Sequence, residues 1–167
     1  MKKTTRSLLA AAMAITMVFA AAGCSDKGGN ADSNGGTSSS APAKEEITGT
    51  EQTAGNISIF VPDGWTLQAG NAGGIEDDNS LFLLKDPNDM SKGYLWVQIK
   101  DSEVVKSNIE EQSTADISPF TAGGVEWWGK ENAIGAEKDG AQFMIFQYGL
   151  NFSDEVVVKV LESVKKA

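Results

Sequence analysis

Histidine is absent from the 167 residues, and cysteine occurs once, as Cys24. Without histidine there is no Ser-His-Asp or Cys-His nucleophilic machinery, no imidazole general base and no zinc site built from His and Cys. A single cysteine forms no disulfide within one chain, so the folded part has to be held by its apolar core. Basic residues are also scarce, 14 against 23 acidic ones. Lys2, Lys3 and Arg6 are the only charged residues before Cys24, which leaves 11 basic and 23 acidic side chains beyond it. That balance argues against nucleic acid and against electrostatic adhesion to anionic lipid, both of which need clustered Lys and Arg. Its plain meaning is solubility; its sharper one is attraction for cations or a basic partner. The apolar run Leu8 to Ala22 is fifteen residues long, short of the roughly 20 that cross a bilayer.

What that run does have is a basic start before it and Ala21-Ala22-Gly23-Cys24 at its end, the layout of a secretory signal peptide. Those last four residues resemble the lipobox of bacterial lipoproteins, in which small residues precede a lipid-bearing cysteine. The resemblance implies cleavage after Gly23 and a diacylglyceryl group on the Cys24 thiol. It also implies a membrane-anchored protein on the extracytoplasmic face of the cell envelope. Ala21 stands where leucine is more usual, a position that tolerates small residues. A plain secretory signal would instead leave an unpaired thiol near an exported N-terminus. A spanning helix would need a stop-transfer cluster of basic residues where Ser25-Asp26-Lys27-Gly28-Gly29 follows. With no basic patch beside Cys24, anchoring rests on lipid alone.

Three segments are expected: a signal peptide over 1–23, a flexible Gly/Ser/Asn-rich tether over 24–55 and a folded domain over 56–167. In the tether Ile47 is the only large apolar side chain, too little to repay the entropy of ordering. In the domain, Ile57, Ile59 and Val61 alternate with Ser58 and Phe60 as a strand, turned by Pro62-Asp63-Gly64 into Trp65. Residues 68–79 read as a loop, and Ser80-Leu81-Phe82-Leu83-Leu84-Lys85 as a strand covered on both faces. Tyr94 to Lys100 is a strand with Leu95, Val97 and Ile99 on one face and Tyr94, Trp96 and Gln98 on the other. Ser102 caps an expected helix from Glu103 to Gln112, and Thr114 to Gly124 reads as loop. Val125 to Lys130 is a strand, and Asp139-Gly140 a hairpin turn into the apolar strand Ala141 to Leu150. Ser153 caps a closing helix over 154–166, with Val157, Val160, Leu161 and Val164 as its stripe.

The strand ending Val61-Pro62-Asp63-Gly64-Trp65, the Trp-bearing strand, the Asp-Gly hairpin and the closing Val160-Leu161-Glu162-Ser163-Val164-Lys165 together resemble the PsbP-like group. These are α/β/α sandwich domains named after an extrinsic subunit of the oxygen-evolving photosystem. The fold so implied agrees with the direct reading, an α+β domain in which a mainly antiparallel sheet of about five strands is covered by two helices.

Three groups of residues are candidates for function. Glu76, Asp77 and Asp78 put three acids in one loop, with Asp86 and Asp89 near in sequence, and hard cations take such oxygen ligands. Asp86 to Gly93 fails the EF-hand pattern, since Met90 and Ser91 stand where a ligand and glycine are needed. The same carboxylates, as an acid and base pair, would suit a hydrolase acting on envelope saccharide. Trp127 and Trp128 are adjacent on a strand and point to opposite faces, so one of them is free to contact a ligand if its face is open. The expectation that results is a non-catalytic, lipid-anchored binding protein without a cofactor, its partner a protein or an envelope component. The carboxylate-dependent hydrolase and a divalent-cation-binding module are the alternatives.

Overall fold

Order in the computed structural model begins before Asn56. The structure describes residues 46–70 and 76–167. Ala43–Ala167 forms one of the two units into which the chain divides, and the other, Met1–Pro42, lies outside the described residues. Gly23, Cys24 and most of the expected tether therefore lie outside them as well.

Strand β1, Gly49–Ala54, pairs antiparallel with β2, Ile57–Pro62, across the tight turn Gly55-Asn56. The folded part accordingly begins before residue 56, inside the segment expected to be tether. Gly-Thr-Glu-Gln-Thr-Ala offers no apolar face, so β1 carries no strand pattern of its own and is held by backbone bonds and polar ties. Lys159 donates to the Ile47 carbonyl and lies 4.8 Å from the Phe60 ring centroid. Thr48 Oγ1 donates to Asp63 Oδ2 at 2.6 Å, and Lys165 pairs with Glu51 at 2.8 Å.

The chain continues as β3 (Thr66–Ala69), β4 (Ser80–Leu84), β5 (Tyr94–Ile99), α1 (Ser102–Glu110), β6 (Asp116–Ala122), β7 (Val125–Lys130), β8 (Ala133–Lys138) and β9 (Ala141–Tyr148). It closes with α2 (Glu155–Ser163) and β10 (Lys165–Lys166). The sheet orders are β1-β2-β10 and β3-β4-β5-β9-β8-β7-β6. Every described pairing is antiparallel.

Side-chain alternation splits the larger sheet into two faces. Leu83, Leu95, Val97, Phe143, Ile145 and Trp127 point to one face, and there join β2 and the α2 stripe Val157, Val160 and Leu161 in the main core. Met144, Ala133 and Trp128 point to the other, where Val105 and Ile109 of α1 cover them. A mainly antiparallel α+β domain with a helix on each face of the large sheet is thus what the chain forms. No helix among the described residues is long and apolar enough to cross a membrane.

Several local expectations need correction. Residues 68–79 include part of β3, and Thr114 to Gly124 contains β6. Pro119 and Ser118 disguise β6, but it is an edge strand whose register shifts between Ile117 and Phe120, where a proline removes no ladder bond. Both helix caps fall elsewhere: Asp101 precedes α1 and Asp154 precedes α2, neither with a side-chain capping bond. The last helix also stops at Ser163 rather than running to Lys166. Ser163 Oγ donates to the Val160 carbonyl and accepts from the Phe60 amide, both at 2.7 Å. The hydroxyl draws the chain beside β2, and Lys165 and Lys166 then pair with Ser58 and Ile57. Lys138 donates to the Glu162 carbonyl at 2.7 Å, a cation at a helix C-terminus, and burial pushes its pKa down.

The hairpin at Asp139-Gly140 forms as expected, both residues having positive φ, 52° and 72°, as a two-residue type I′ turn requires. Gly135 serves a different need. A Cβ there would lie 2.8 Å from Val105 Cγ1 and 3.1 Å from Ile109 Cδ1, so its absence lets α1 seat on the sheet. Gly135→Val is expected to cost about 2–3 kcal/mol through overpacking, read as a lower urea midpoint with an unchanged slope.

Candidate functional site

Cross-strand register decides which side chains meet on a sheet. Across β4, β5 and β9 it lines up Phe82, Trp96 and Phe146 in one row and Leu84, Tyr94 and Tyr148 in the next. All six lie on the α1 side of the sheet. α1 packs mainly on the β8 and β9 part of that face, against Ala133 and Met144. Beyond it Tyr94, Trp96 and Phe146 are half-buried, and Tyr148 is 54% exposed.

The rings form a ladder. Phe82 and Trp96 stack at 5.4 Å between centroids with 9° between planes, and Trp96 and Phe146 at 5.6 Å with 30°. Tyr94 and Tyr148 stack at 5.7 Å and 16°, while Phe82 meets Tyr94 edge to face at 5.7 Å. Trp96 Nε1 donates to the buried Ser80 hydroxyl at 2.8 Å, which fixes the indole. Rings stacked from strand to strand stand side by side on the sheet. Trp96 has a ring against each flat face, Phe146 and Tyr148 end their rows with one stacked neighbour each, and the ring edges point outward.

The two tryptophans singled out by sequence separate as expected, to opposite faces. Trp127 is fully buried in the main core, its Nε1 donating to the Ala122 carbonyl at 3.3 Å. It is therefore not available to a ligand, which corrects its candidacy as a contact. Trp128 is half-buried and packs beside α1. Tyr94 and Trp96 share one face by their spacing, but no local pattern marks the ladder, because the pairing of β5 with β9 bridges more than forty residues.

The acidic loop is put to other use. Asp77 Oδ1 accepts from the Asn79 amide at 2.9 Å, and its Oδ2 lies 3.8 Å from Lys100 Nζ. The Asp78 carbonyl accepts from the Asn56 amide at 2.6 Å. Glu76, Asp77 and Asp78 border a hollow of about 400 Å³. Among the described residues, however, no three His, Cys, Asp or Glu side chains converge as metal ligands. Asp86 is drawn to Lys92 at 2.6 Å, and that bond and the Asn88 amide hold its carboxyl below the usual range. Asp89 accepts from Ser91. A cleft of about 610 Å³ beside the start of α1 has Asp77, Asp101 and Glu137 in its wall together with Lys100 and Lys166. No tryptophan lines it, so it lacks the aromatic wall expected of a saccharide hydrolase.

The architecture is that of a layered antiparallel α+β domain. No protein-family model matches the chain, and no curated protein matches it. Among solved structures it is similar to the solution structure of cyanobacterial PsbP (CyanoP) from Synechocystis sp. PCC 6803, at 11% identity and a TM-score of 0.42. The alignment covers 79% of this chain and 100% of that one. Nothing about function is carried over from a likeness at that level.

Proposed function

We propose that this is a lipid-anchored, extracytoplasmic, non-catalytic binding protein that holds a protein partner on the aromatic face of its α+β domain. The ring ladder over Phe82, Trp96 and Phe146, with Tyr94 and Tyr148 beside it, is the observation that carries the reading. A sugar ring stacks on an open aromatic face, and the central ring, Trp96, has both of its faces taken by Phe82 and Phe146. Outward edges carry the positive part of the ring quadrupole and suit carbonyl oxygens, aromatic faces and aliphatic side chains, the groups a protein surface offers. Tyrosine and tryptophan are also the side chains that most often anchor protein interfaces. Anchoring is supported by the basic start, the apolar run and Ala21-Ala22-Gly23-Cys24. The absence of histidine from the sequence favours binding over catalysis.

The test uses the full chain in its own membrane, with a photocrosslinking residue at Tyr148 or, as control, at Val104, which is 42% exposed on α1. An adduct of one discrete mass is expected at 148, absent at 104 and lost with Tyr94→Ala. Cys24→Ser is expected to move the protein out of the membrane fraction. Equal labelling at both positions would remove the docking role, and membrane retention of Cys24→Ser would remove the lipid anchor.

A further inference from the structure

A second cleft, of about 620 Å³, opens between edge strand β6 and the start of α2. It lies on the opposite side of the large sheet from the aromatic ladder, because Phe120 pairs with Trp127 and Gln147 with Leu95, residues of the main core. The cleft exists because the register of β6 shifts after Ile117 while α2 begins only at Glu155, so no element covers the end of the core here. Its apolar wall is Ile117, Phe120, Phe152 and Val158. Its size and apolar wall are those of a small-molecule site.

The polar groups in the wall select the ligand. Gln147 is spent within the fold: its Oε1 accepts from the Leu150 amide, and its Nε2 donates to the Glu131 carbonyl. Ser118, Ser153 and the Asn151 side-chain amide also line the cleft and have no side-chain hydrogen bond among the described residues. Glu131 is the only charged residue in the lining, and its exposed carboxylate has no ion pair among the described residues. An ammonium group donates three hydrogen bonds and accepts none, which matches a lining that offers one carboxylate together with the Ser118 and Ser153 hydroxyls and the Asn151 amide oxygen. An anionic head would face Glu131 with like charge.

We propose that this cleft binds a small primary amine with an apolar body, the amine directed to Glu131 and the body to Ile117, Phe120 and Val158. The site is independent of the aromatic face, and either assignment can fail without the other.

Methyl resonances of Ile117 and Val158, read in the full chain carrying Cys24→Ser, test it with three probes of one body: phenylbutylamine, phenylbutanol and phenylbutyrate. The amine is expected to shift both methyls saturably, and the carboxylate to bind about fivefold more weakly, attraction being replaced by repulsion at a partly exposed charge. Glu131→Gln is expected to bring the two within about twofold of each other. Val158→Trp, which fills the cleft, is expected to abolish the shift at Ile117 while the rest of the spectrum stays native. The proposal is overturned if the amine gives no saturable shift at these methyls, or if it shifts residues around Tyr148 instead. It is equally overturned if amine and carboxylate bind alike before Glu131 is changed, or if Glu131→Gln leaves their difference intact.

Discussion

Trp127→Ala is expected to lower the stability of the domain by about 3–5 kcal/mol. The side chain is fully buried, and it lies where the large sheet meets the α2 stripe. Truncation removes the transfer free energy of an indole and leaves a cavity that a sheet pinned on both sides closes poorly. It also leaves the Ala122 carbonyl without the indole N–H that donates to it at 3.3 Å. A domain of ordinary stability holds about 5–15 kcal/mol in total, so the substitution removes a large share of it. Trp128→Ala, on the α1 side and only half-buried, should cost less, about 1–2 kcal/mol for the smaller area it exposes. Urea unfolding followed by far-ultraviolet circular dichroism compares the two. A loss below about 1 kcal/mol for Trp127→Ala would return that residue to the list of ligand contacts.

The second large effect concerns the start of the domain. A fragment of residues 56–167 lacks β1 and should be less stable than one of residues 46–167 by about 3 kcal/mol, the sum of six facing pairs at roughly 0.2–1 kcal/mol each. Its absence strips the outer edge of β2 of its ladder. It also removes Ile47 from Lys159, Thr48 from Asp63 and Glu51 from Lys165. Because the exposed side chains of β1 contribute little apolar burial, the urea slope, which follows exposed area, should change less than the midpoint. Equal midpoints for the two fragments would mean that β1 is dispensable and that the folded domain begins at Asn56. Thermal scans of both fragments give the same comparison, at about 4–8 °C per kcal/mol for a domain near this size.

The candidate site divides in the same way between what can be read locally and what cannot. Period-two spacing placed Tyr94 and Trp96 together opposite Leu95, Val97 and Ile99, and the structure keeps that division. Phe146 and Tyr148 have the same spacing in β9. Nothing in either segment says that the two strands are neighbours, so the five-ring ladder has no local signature. The acidic loop shows the converse. Glu76, Asp77 and Asp78 are adjacent in sequence, which suggested a ligand set, yet Asp77 is engaged by Asn79 and Lys100 and the three do not converge. Adjacent residues in a loop have no fixed direction relative to one another until the surrounding strands give them one.

By itself the sequence determined the class of the domain and much of its inventory. Alternating apolar residues identified β2 and β5, short apolar runs identified β4 and β9, Val125 to Lys130 read as β7, the Asp-Gly pair placed the hairpin before β9, and the spacing of Val157, Val160 and Leu161 identified α2. These are local consequences of side-chain direction, repeating every two or 3.6 residues. The tertiary structure alone decided that the polar segment Gly49–Ala54 is a strand, that Asp116–Ala122 is an edge, and that Ser163 ends the last helix so that β10 can pair with β2. Backbone hydrogen bonding is the physical reason. It is blind to side-chain polarity, so a strand recruited by a neighbour already in place leaves no pattern in its own residues.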